Sequence, residues 1–338
     1  MLKNDIINRQ KENLMKNMPL VLEDYLNYIE TIKGVSLNTT EGYYFDLRIF
    51  FRFLKKRYRL VEDHVEFDEI DISDIDMDII KKITIQDLHA YISFADKDRS
   101  NNNFTKSRKV ASLRSFFKYL HNVVNTINKD PSQALEFPKT ENRHPIYLTL
   151  EQCELLLDTV LENKNDEYRK RDYAIIMLFL NCGLRLSELS NIDLDRLKDN
   201  DTLHIIGKGN KERTIFINDS CIEAIKDYLI VRPKEVNDPK AMFISKRKNR
   251  MSNRAIQHMI DRYLTKAGFD TSIYSTHKLR HTAATLMYKY GNVDIRALQE
   301  ILGHESVATT QIYTHTDNDR LRQAVKSNPL ANRKNTKE

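Results

Sequence analysis

The sequence predicts a mainly α-helical protein of two domains that contains one small β-sheet. Its 338 residues include only 8 Gly and 7 Pro, so residues that break helices are few. Apolar residues recur at helical spacing through most of the chain, whereas residues 201–219 alternate as two paired strands do. A chain of this length can form two hydrophobic cores of ordinary size.

The N-terminal third has the pattern of a small helical bundle. One helix is expected to follow the cap-like residues 38–40, and a second to begin at Thr84, where Thr-Ile-Gln-Asp resembles a capping box. A third covers residues 105–124. The second helix is expected to continue through Leu88 and Tyr91 to Ile92, and the apolar positions expected inside the bundle are Tyr44, Leu47, Phe50, Phe51, Leu54, Val110, Leu113, Phe117 and Leu120. The basic positions expected on its surface are Arg48, Arg52, Lys55, Lys56, Arg108, Lys109, Arg114 and Lys118.

A polar segment with three prolines separates this bundle from a second domain. Pro131, Pro138 and Pro145 cannot continue a helix, so residues 126–146 are taken as the linker. Beyond it, Thr149 opens a helix.

Three further elements are expected in the second domain. An apolar core helix over residues 170–182 ends at Gly183, the residue type that a helix C-terminus favours. The alternating residues 201–219 flank Gly-Lys-Gly-Asn and place Lys208 at or beside a hairpin turn. A helix that Ser252 starts is the third element, and Gly268 closes it.

The charge of the chain is unevenly distributed. Residues 62–78 hold nine carboxylates and no Lys or Arg, so a net charge of +6 leaves about +15 on the remainder. That excess favours a polyanionic partner. The acidic residues themselves are expected to form a solvated loop rather than a metal site.

Membrane and disulfide-bonded classes do not fit the sequence. No segment reaches the roughly 18 consecutive apolar residues of a spanning helix, and the N-terminus is too polar for a signal peptide. We therefore expect a cytoplasmic protein without a membrane partner. Cys153, Cys182 and Cys221 lie far apart and are expected to be buried thiols.

Four short segments hold residues that can carry chemistry, and each also has a purely structural interpretation. Arg185 in GLRLSEL can pair with Glu188, Lys208 can be a solvated hairpin lysine, and Tyr313 in LGHESVATTQIY can be a buried tyrosine. In HKLRH, His277 and His281 share one helix face.

A zinc site at HKLRH is the metal alternative, with His304 or His315 as a third ligand. Lys278 stands where a hydrolytic zinc site has glutamate, and Arg280 would place a fixed cation beside the metal. Both residues oppose a cation and favour an anion, so no metal is predicted.

The same residues together fit a phosphate site. The planar guanidinium groups of Arg185 and Arg280 match the non-bridging oxygens of a phosphodiester and can stabilise charge on a five-coordinate phosphorus. His277 and His304 add hydrogen bonds or a proton acceptor. Lys208 can protonate a departing oxygen, and Tyr313 can attack phosphorus.

These motifs, in this order, resemble those of the tyrosine site-specific recombinases, and within them the Xer-type enzymes. GLRLSEL carries the first arginine, the hairpin lysine follows 23 residues later, and HKLRH and LGHESVATTQIY come after it. The resemblance runs from about Leu20 to Thr316, since NTTEGYYFDLRIFFRFL, SLRSFFKYL and DPSQALEFPK are similar to the DNA-clamping domain of that family.

The resemblance implies a two-domain enzyme that needs no cofactor. The implied parts are an N-terminal extension (1–18), a helical, SAM-like DNA-clamping bundle (19–125), the linker (126–146), a mostly helical catalytic domain with a β-hairpin (147–316) and a C-terminal tail for subunit contact (317–338). The implied catalytic set is Arg185, Lys208, His277, Arg280, His304 and the nucleophile Tyr313, with Glu188 supporting the site and His281 in a structural role.

The implied reaction cuts and rejoins two DNA duplexes through a 3′-phosphotyrosine and a Holliday junction. The implied partners are a double-stranded recombination site, a homo- or hetero-tetramer of recombinase subunits and an accessory activator protein. The candidate contacts to the DNA backbone are Arg108, Lys109, Arg114, Lys118, Lys246, Arg247, Lys248, Arg250 and Arg254. Chromosome-dimer resolution is the favoured role; integration of a mobile element, a type IB topoisomerase and a non-catalytic DNA-binding module are the alternatives.

Overall fold

The chain divides into two compact units, residues 1–142 and 143–338, which are described separately. The computed structural model describes residues 18–139, 146–162, 166–198, 201–207, 212–291, 293–304 and 306–311. Both units are mainly helical, and the second contains a small antiparallel sheet, so the predicted fold class is confirmed. Within the described residues, no helix is long and apolar enough to cross a membrane.

The described part of the N-terminal unit is a helical bundle. Its α-helices are α1 (Leu20–Thr31), α2 (Leu37–Arg57), α3 (Met77–Lys81), α4 (Ile85–Lys97) and α5 (Asn103–Asn122). All the apolar positions predicted to lie inside the bundle are buried. Aromatic rings dominate the core, where Tyr25 meets Phe116 edge to face at 5.3 Å between ring centroids and Phe51 meets Phe116 at 5.8 Å.

Two helix starts test the capping predictions. Thr84 caps α4 as predicted: its backbone N–H and its hydroxyl donate to Asp87 Oδ2 at 2.9 and 2.8 Å. The prediction for α2 was wrong, because the helix begins at Leu37 after Ser36 and so includes the cap-like residues 38–40. Helix α1 had not been predicted.

The acidic residues of 62–78 are exposed, as predicted, but the segment is anchored by apolar residues between them. Ile70, Ile72 and Ile75 are buried in the N-terminal unit, and their anchoring brings carboxylates onto α2. Asp74 Oδ1 accepts a hydrogen bond from the Lys55 ammonium at 2.7 Å, and Lys55 is only 6% exposed. The expectation that Lys55 faces solvent was therefore wrong: its stem packs on the bundle while its charge is paired.

The predicted linker begins too early in the sequence. Ile127 and Leu135 are 8% and 2% exposed and belong to the core of the N-terminal unit. Two isolated apolar residues among polar ones show no helical or strand period, so the pattern did not reveal them.

The described part of the C-terminal unit surrounds one buried helix. Its helices are α6 (Leu150–Glu162), α7 (Arg169–Cys182), α8 (Leu186–Ser190), α9 (Asp219–Val231), α10 (Asn253–Lys266), α11 (Thr276–Tyr290), α12 (Ile295–Leu302) and α13 (Val307–Gln311). Helix α7 contacts α6, α9 and α11, which explains why its sequence is apolar on nearly every side.

The sheet lies between α8 and α9 in the chain. Its described strands, β1 (Leu197–Lys198), β2 (Thr202–Ile206) and β3 (Glu212–Phe216), are antiparallel in the order β1-β2-β3. The predicted hairpin is β2 and β3, with Ile205 opposite Arg213 and Ile206 opposite Glu212. Alternation places Leu203, Ile205 and Ile215 in the core. Lys208 lies between the two strands, outside the described residues.

Candidate functional site

Arg185 stands at a sharp turn between two helices. Helix α7 ends at Gly183, whose φ of 59° is left-handed, and Arg185 is the extended residue that precedes α8. A side chain at Gly183 would also meet Leu302 Cδ2 at 2.9 Å from its Cβ. The turn therefore requires glycine and leaves the Arg185 side chain 33% exposed.

Arg280 reaches the same turn from α11. It is 4% exposed, and it donates from Nη1 to the Gly183 carbonyl at 2.5 Å and from Nη2 to the Leu302 carbonyl at 2.7 Å. Arg185 Nη2 donates to the next carbonyl, that of Gly303, at 2.7 Å. Both predicted arginines are thus held at the end of α12.

Glu188 is a buried carboxylate on which the arginines converge. It accepts the Arg185 backbone N–H at 2.8 Å and Arg185 Nη1 at 2.8 Å, and Arg280 Nη1 lies 4.0 Å away. Burial by itself raises the pKa of Glu188, but the hydrogen bonds and charges of its arginine partners outweigh this and lower it. Glu188 is therefore an anion that fixes Arg185, and the predicted pairing of these two residues is confirmed.

Arg213 is a third arginine at this carboxylate, and the sequence analysis missed it. It donates from Nη1 and Nη2 to Glu188 at 2.5 and 3.1 Å. The signal was present in the hairpin, because period-2 alternation puts Arg213 on the same face as the buried Ile215. An arginine on the inward face of a strand requires a buried partner, and here that partner is Glu188.

His304 follows the α12 turn and borders the arginines. It is partly buried, and its Nδ1 lies 2.9 Å from the buried Thr310 hydroxyl. Burial, then the positive charges of Arg280 and Arg185, lower its pKa to about 4. His304 is therefore neutral at physiological pH.

The two histidines of α11 stack edge to face at 4.6 Å between ring centroids. His277 is exposed, but lost hydration on its protein side and the charges of Arg280 and Lys278 lower its pKa. For His281 burial is the main cause, and its pKa falls to about 4. Among the described residues, no group of three or more His, Cys, Asp or Glu is placed to hold a metal ion.

Several predicted residues lie outside the described part of the chain. These are Lys208, His315, the proposed nucleophile Tyr313 and the C-terminal tail. The structure brings together Arg185, Glu188, Arg280 and His304, with His277 close to Arg280.

The basic residues predicted on the surface of α5 differ in their exposure to solvent. Arg108, Arg114 and Lys118 are exposed. Lys109, by contrast, is 3% exposed, and its ammonium lies 3.0 Å from the buried carboxylate of Asp46. The prediction that Lys109 is available to DNA was wrong, because helical rotation turns it toward the core next to Val110.

The basic run before α10 divides in the same way. Lys246, Arg247, Lys248 and Arg254 are exposed. Arg250 donates to Asp238 at 2.8 Å, pairs with Asp193, and reaches the Ser190 and Ile192 carbonyls at 3.3 and 3.2 Å. Its prediction as a DNA contact was wrong, since its guanidinium is engaged in joining three loops.

Comparison with known proteins places this site in a family. The model of the phage integrase family matches residues 147–320. A tyrosine recombinase XerC of Caldanaerobacter subterraneus subsp. tengcongensis is 54% identical over 96% of this chain and 92% of its own length.

Two solved structures share the fold. The XerH recombinase bound to a difH substrate has a TM-score of 0.65 at 24% identity, covering 87% of this chain and 80% of that one. The Tn1549 transposon integrase in complex with a circular-intermediate DNA has a TM-score of 0.67 at 18% identity, covering 90% and 98%.

Proposed function

The chain belongs to the phage integrase family and is a Xer-type site-specific tyrosine recombinase, an enzyme that cleaves and rejoins DNA, and on this basis we propose that Tyr313 is its nucleophile. The Tyr313 oxygen attacks the scissile phosphorus, a 3′-phosphotyrosine bond forms and the bond to the 5′ oxygen breaks. Lys208 gives its proton to that oxygen, which leaves as a 5′-hydroxyl. A 5′-hydroxyl from a partner duplex reverses the step, so the phosphodiester energy is conserved.

Arg185 and Arg280 hold the phosphate. The observation that carries this assignment is their convergence on one buried carboxylate: Arg185 donates a hydrogen bond to Glu188 at 2.8 Å, and Arg280 Nη1 lies 4.0 Å from the same carboxylate. Each arginine is fixed by its own carbonyl contact, so its remaining N–H groups need little reorganisation to meet charge that develops at phosphorus. Glu188 orients the pair.

The histidines act in their neutral forms. Burial, then the charges of Arg280 and Lys278, lower the pKa of His277, which favours its role as a base that accepts the Tyr313 proton. If Thr310 donates to Nδ1 of His304, the opposite ring nitrogen carries a proton and donates to a phosphate oxygen. His281 packs against His277 and holds it.

The substrate is a double-stranded recombination site, cut by a tetramer of recombinase subunits in the cytoplasm. The high identity to a XerC recombinase over nearly the whole chain supports chromosome-dimer resolution at a dif-like site. Arg108, Arg114, Lys118, Lys246, Arg247, Lys248 and Arg254 supply contacts to the DNA backbone.

A nicked substrate tests the nucleophile. A nick beside the scissile phosphate lets the cleaved strand diffuse away, so the covalent adduct accumulates. Tyr313→Phe should form no adduct, whereas Tyr290→Phe, which alters a tyrosine that is 71% exposed, should match the wild type. An adduct in Tyr313→Phe refutes the assignment.

The arginine clamp has its own test. Arg185→Ala and Arg280→Ala should bind the site but cleave it on the order of 10²-fold more slowly or worse, as when an oxyanion donor is removed. Arg196→Ala removes a surface arginine paired with Glu212 and serves as the control. Exchange of strands between two dif-like sites on plasmids tests the biological substrate, since a topoisomerase would only relax them.

A further inference from the structure

The third arginine of the site, Arg213, is the residue from which a further role follows. Both of its terminal nitrogens donate to Glu188, at 2.5 and 3.1 Å, and its side chain is 18% exposed. Its Nε is buried and has no hydrogen-bond partner among the described residues. Arg213 thus has one buried N–H group that is unsatisfied, while both terminal nitrogens are bonded to Glu188.

Gly303 leaves the space that Arg213 occupies. A Cβ at Gly303 would lie 2.7 Å from Nη1, 2.8 Å from Cζ and 3.0 Å from Nε of Arg213. The flat guanidinium thus lies against the backbone turn whose carbonyl holds Arg185. One side of Arg213 faces that turn, and its fork faces the carboxylate.

The charges around Glu188 give this contact a consequence. Three guanidinium groups and one carboxylate leave a net charge of two positive units. Tyrosinate and a phosphodiester bring two negative charges into the five-coordinate transition state, and the cluster places two positive units beside them. Without Arg213, only Arg185 and Arg280 would offset the negative charge of Glu188, and one positive unit would remain.

We propose that Arg213 is a positioning residue that neutralises Glu188, so that Arg185 and Arg280 keep their charge for the scissile phosphate. This inference rests on the proposed function, since it presumes that those two arginines hold the phosphate. It assigns to β3 a role separate from that of Lys208, which is carried by the same hairpin.

Two altered substrates separate these roles. A methylphosphonate at the scissile position replaces one charged non-bridging oxygen by a methyl group, which lowers the negative charge of the transition state. A 5′-bridging sulfur is a leaving group that needs no proton, so it relieves the loss of an acid. Adduct formation is measured on both and on the ordinary phosphodiester, with Arg213→Met, Arg213→Lys, Lys208→Ala and, as control, Arg196→Met.

On the phosphodiester, Arg213→Met should cleave about 10- to 100-fold more slowly, in the range seen when a supporting partner of an active group is removed. Methylphosphonate should recover most of that loss and bridging sulfur little of it. Arg213→Lys keeps the charge without the fork and should fall between Arg213→Met and the wild type. Arg196→Met should cleave all three substrates as the wild type does.

The inference would be overturned if Arg213→Met cleaved the phosphodiester at the wild-type rate, or if methylphosphonate left its slower cleavage unchanged. It would also be overturned if bridging sulfur restored the cleavage rate, because Arg213 would then act through Lys208. Far-ultraviolet circular dichroism verifies folding, and Arg213→Lys takes the place of Arg213→Met in every comparison if the latter does not fold. Failure of the proposed function has a different signature, namely Arg185→Ala and Arg280→Ala variants that cleave the phosphodiester as the wild type does.

Discussion

Replacing Gly303 by alanine should disturb both the stability and the chemistry of the C-terminal unit. Gly303 ends α12 in the left-handed region, with a φ of 64°. Its carbonyl accepts Arg185 Nη2 at 2.7 Å, and its Cα lies against the Arg213 guanidinium. One methyl group at this position therefore acts on two arginines of the site.

The expected magnitude has a backbone part and a contact part. A non-glycine residue in the left-handed conformation costs about 1–2 kcal/mol, from which the reduced entropy of the unfolded chain subtracts about 0.4–1 kcal/mol. The new Cβ would approach Arg213 Nη1 at 2.7 Å, so the guanidinium must move. Weakening one charge-assisted hydrogen bond to Glu188 costs about 1.5–3 kcal/mol. The total is about 2–4 kcal/mol.

Gly268 offers a matched control in the same unit. Its φ of 81° is also left-handed, but a Cβ there would meet nothing within 4 Å. Gly268→Ala should therefore show the backbone part alone, about 0–1.6 kcal/mol once the unfolded-chain entropy is subtracted. Urea unfolding gives the loss in free energy of unfolding for each variant. The rate of adduct formation on the nicked substrate measures the chemistry of the site, and only Gly303→Ala should lower it.

Equal losses of stability in the two variants, together with wild-type cleavage by Gly303→Ala, would refute this reasoning. That result would mean that Arg213 moves aside at no cost, so its contact with Glu188 is weak. A loss of stability in Gly303→Ala with unchanged cleavage would separate the contact from the chemistry and count against the role proposed for Arg213.

Two further predictions concern buried charge and pH. Lys109→Met should lower the free energy of unfolding by about 3 kcal/mol or more, because it leaves the carboxylate of Asp46 buried with one partner fewer. Lys118→Met, at an exposed position, is the control, and equal urea midpoints of the two variants would contradict the prediction. The histidines His281 and His304 have folded pKa values of about 4 against an ordinary 6.5, so the unfolded chain takes up protons first as the pH falls. Their contribution to stability is present above pH 6.5 and is lost toward pH 4, and His304→Asn should therefore lose less stability than the wild type between pH 7 and pH 5.

The sequence predicted those parts of the fold that have a periodic signal. The aromatic stripe of α2 and the apolar α7 were recognised because burial on one side or on all sides leaves a pattern. The short helix α8 has only five residues, Leu186–Ser190, too few for a period to emerge. Ile127 and Leu135 joined the N-terminal core without any period, because tertiary contacts alone bury them.

The candidate site was predicted by residue type and order, and of its internal bonds only the pair of Arg185 with Glu188 was anticipated. Arg185 and Arg280 are recognisable from their motifs, whereas the carbonyls that hold them belong to backbone that any residue could supply. Lys109 and Arg250 were misjudged for a related reason. A basic residue in a basic run looks solvated unless the position of its acidic partner is known, and Asp46 is 63 residues away from Lys109.

The position of the two arginines at one helix end explains why the site should respond as a unit. Arg280 is bonded to the carbonyl of Leu302, Arg185 to that of Gly303, and His304 is the next residue in the chain. Glu188 and Arg213 approach the same turn from α8 and β3. Because these groups share one backbone turn and three of them meet at one carboxylate, displacing any one of them changes the environment of the others, and the effects of single substitutions need not add. Under the proposed function, the turn at the end of α12 holds Arg185 and Arg280 in the relation that their charges would need around one phosphate.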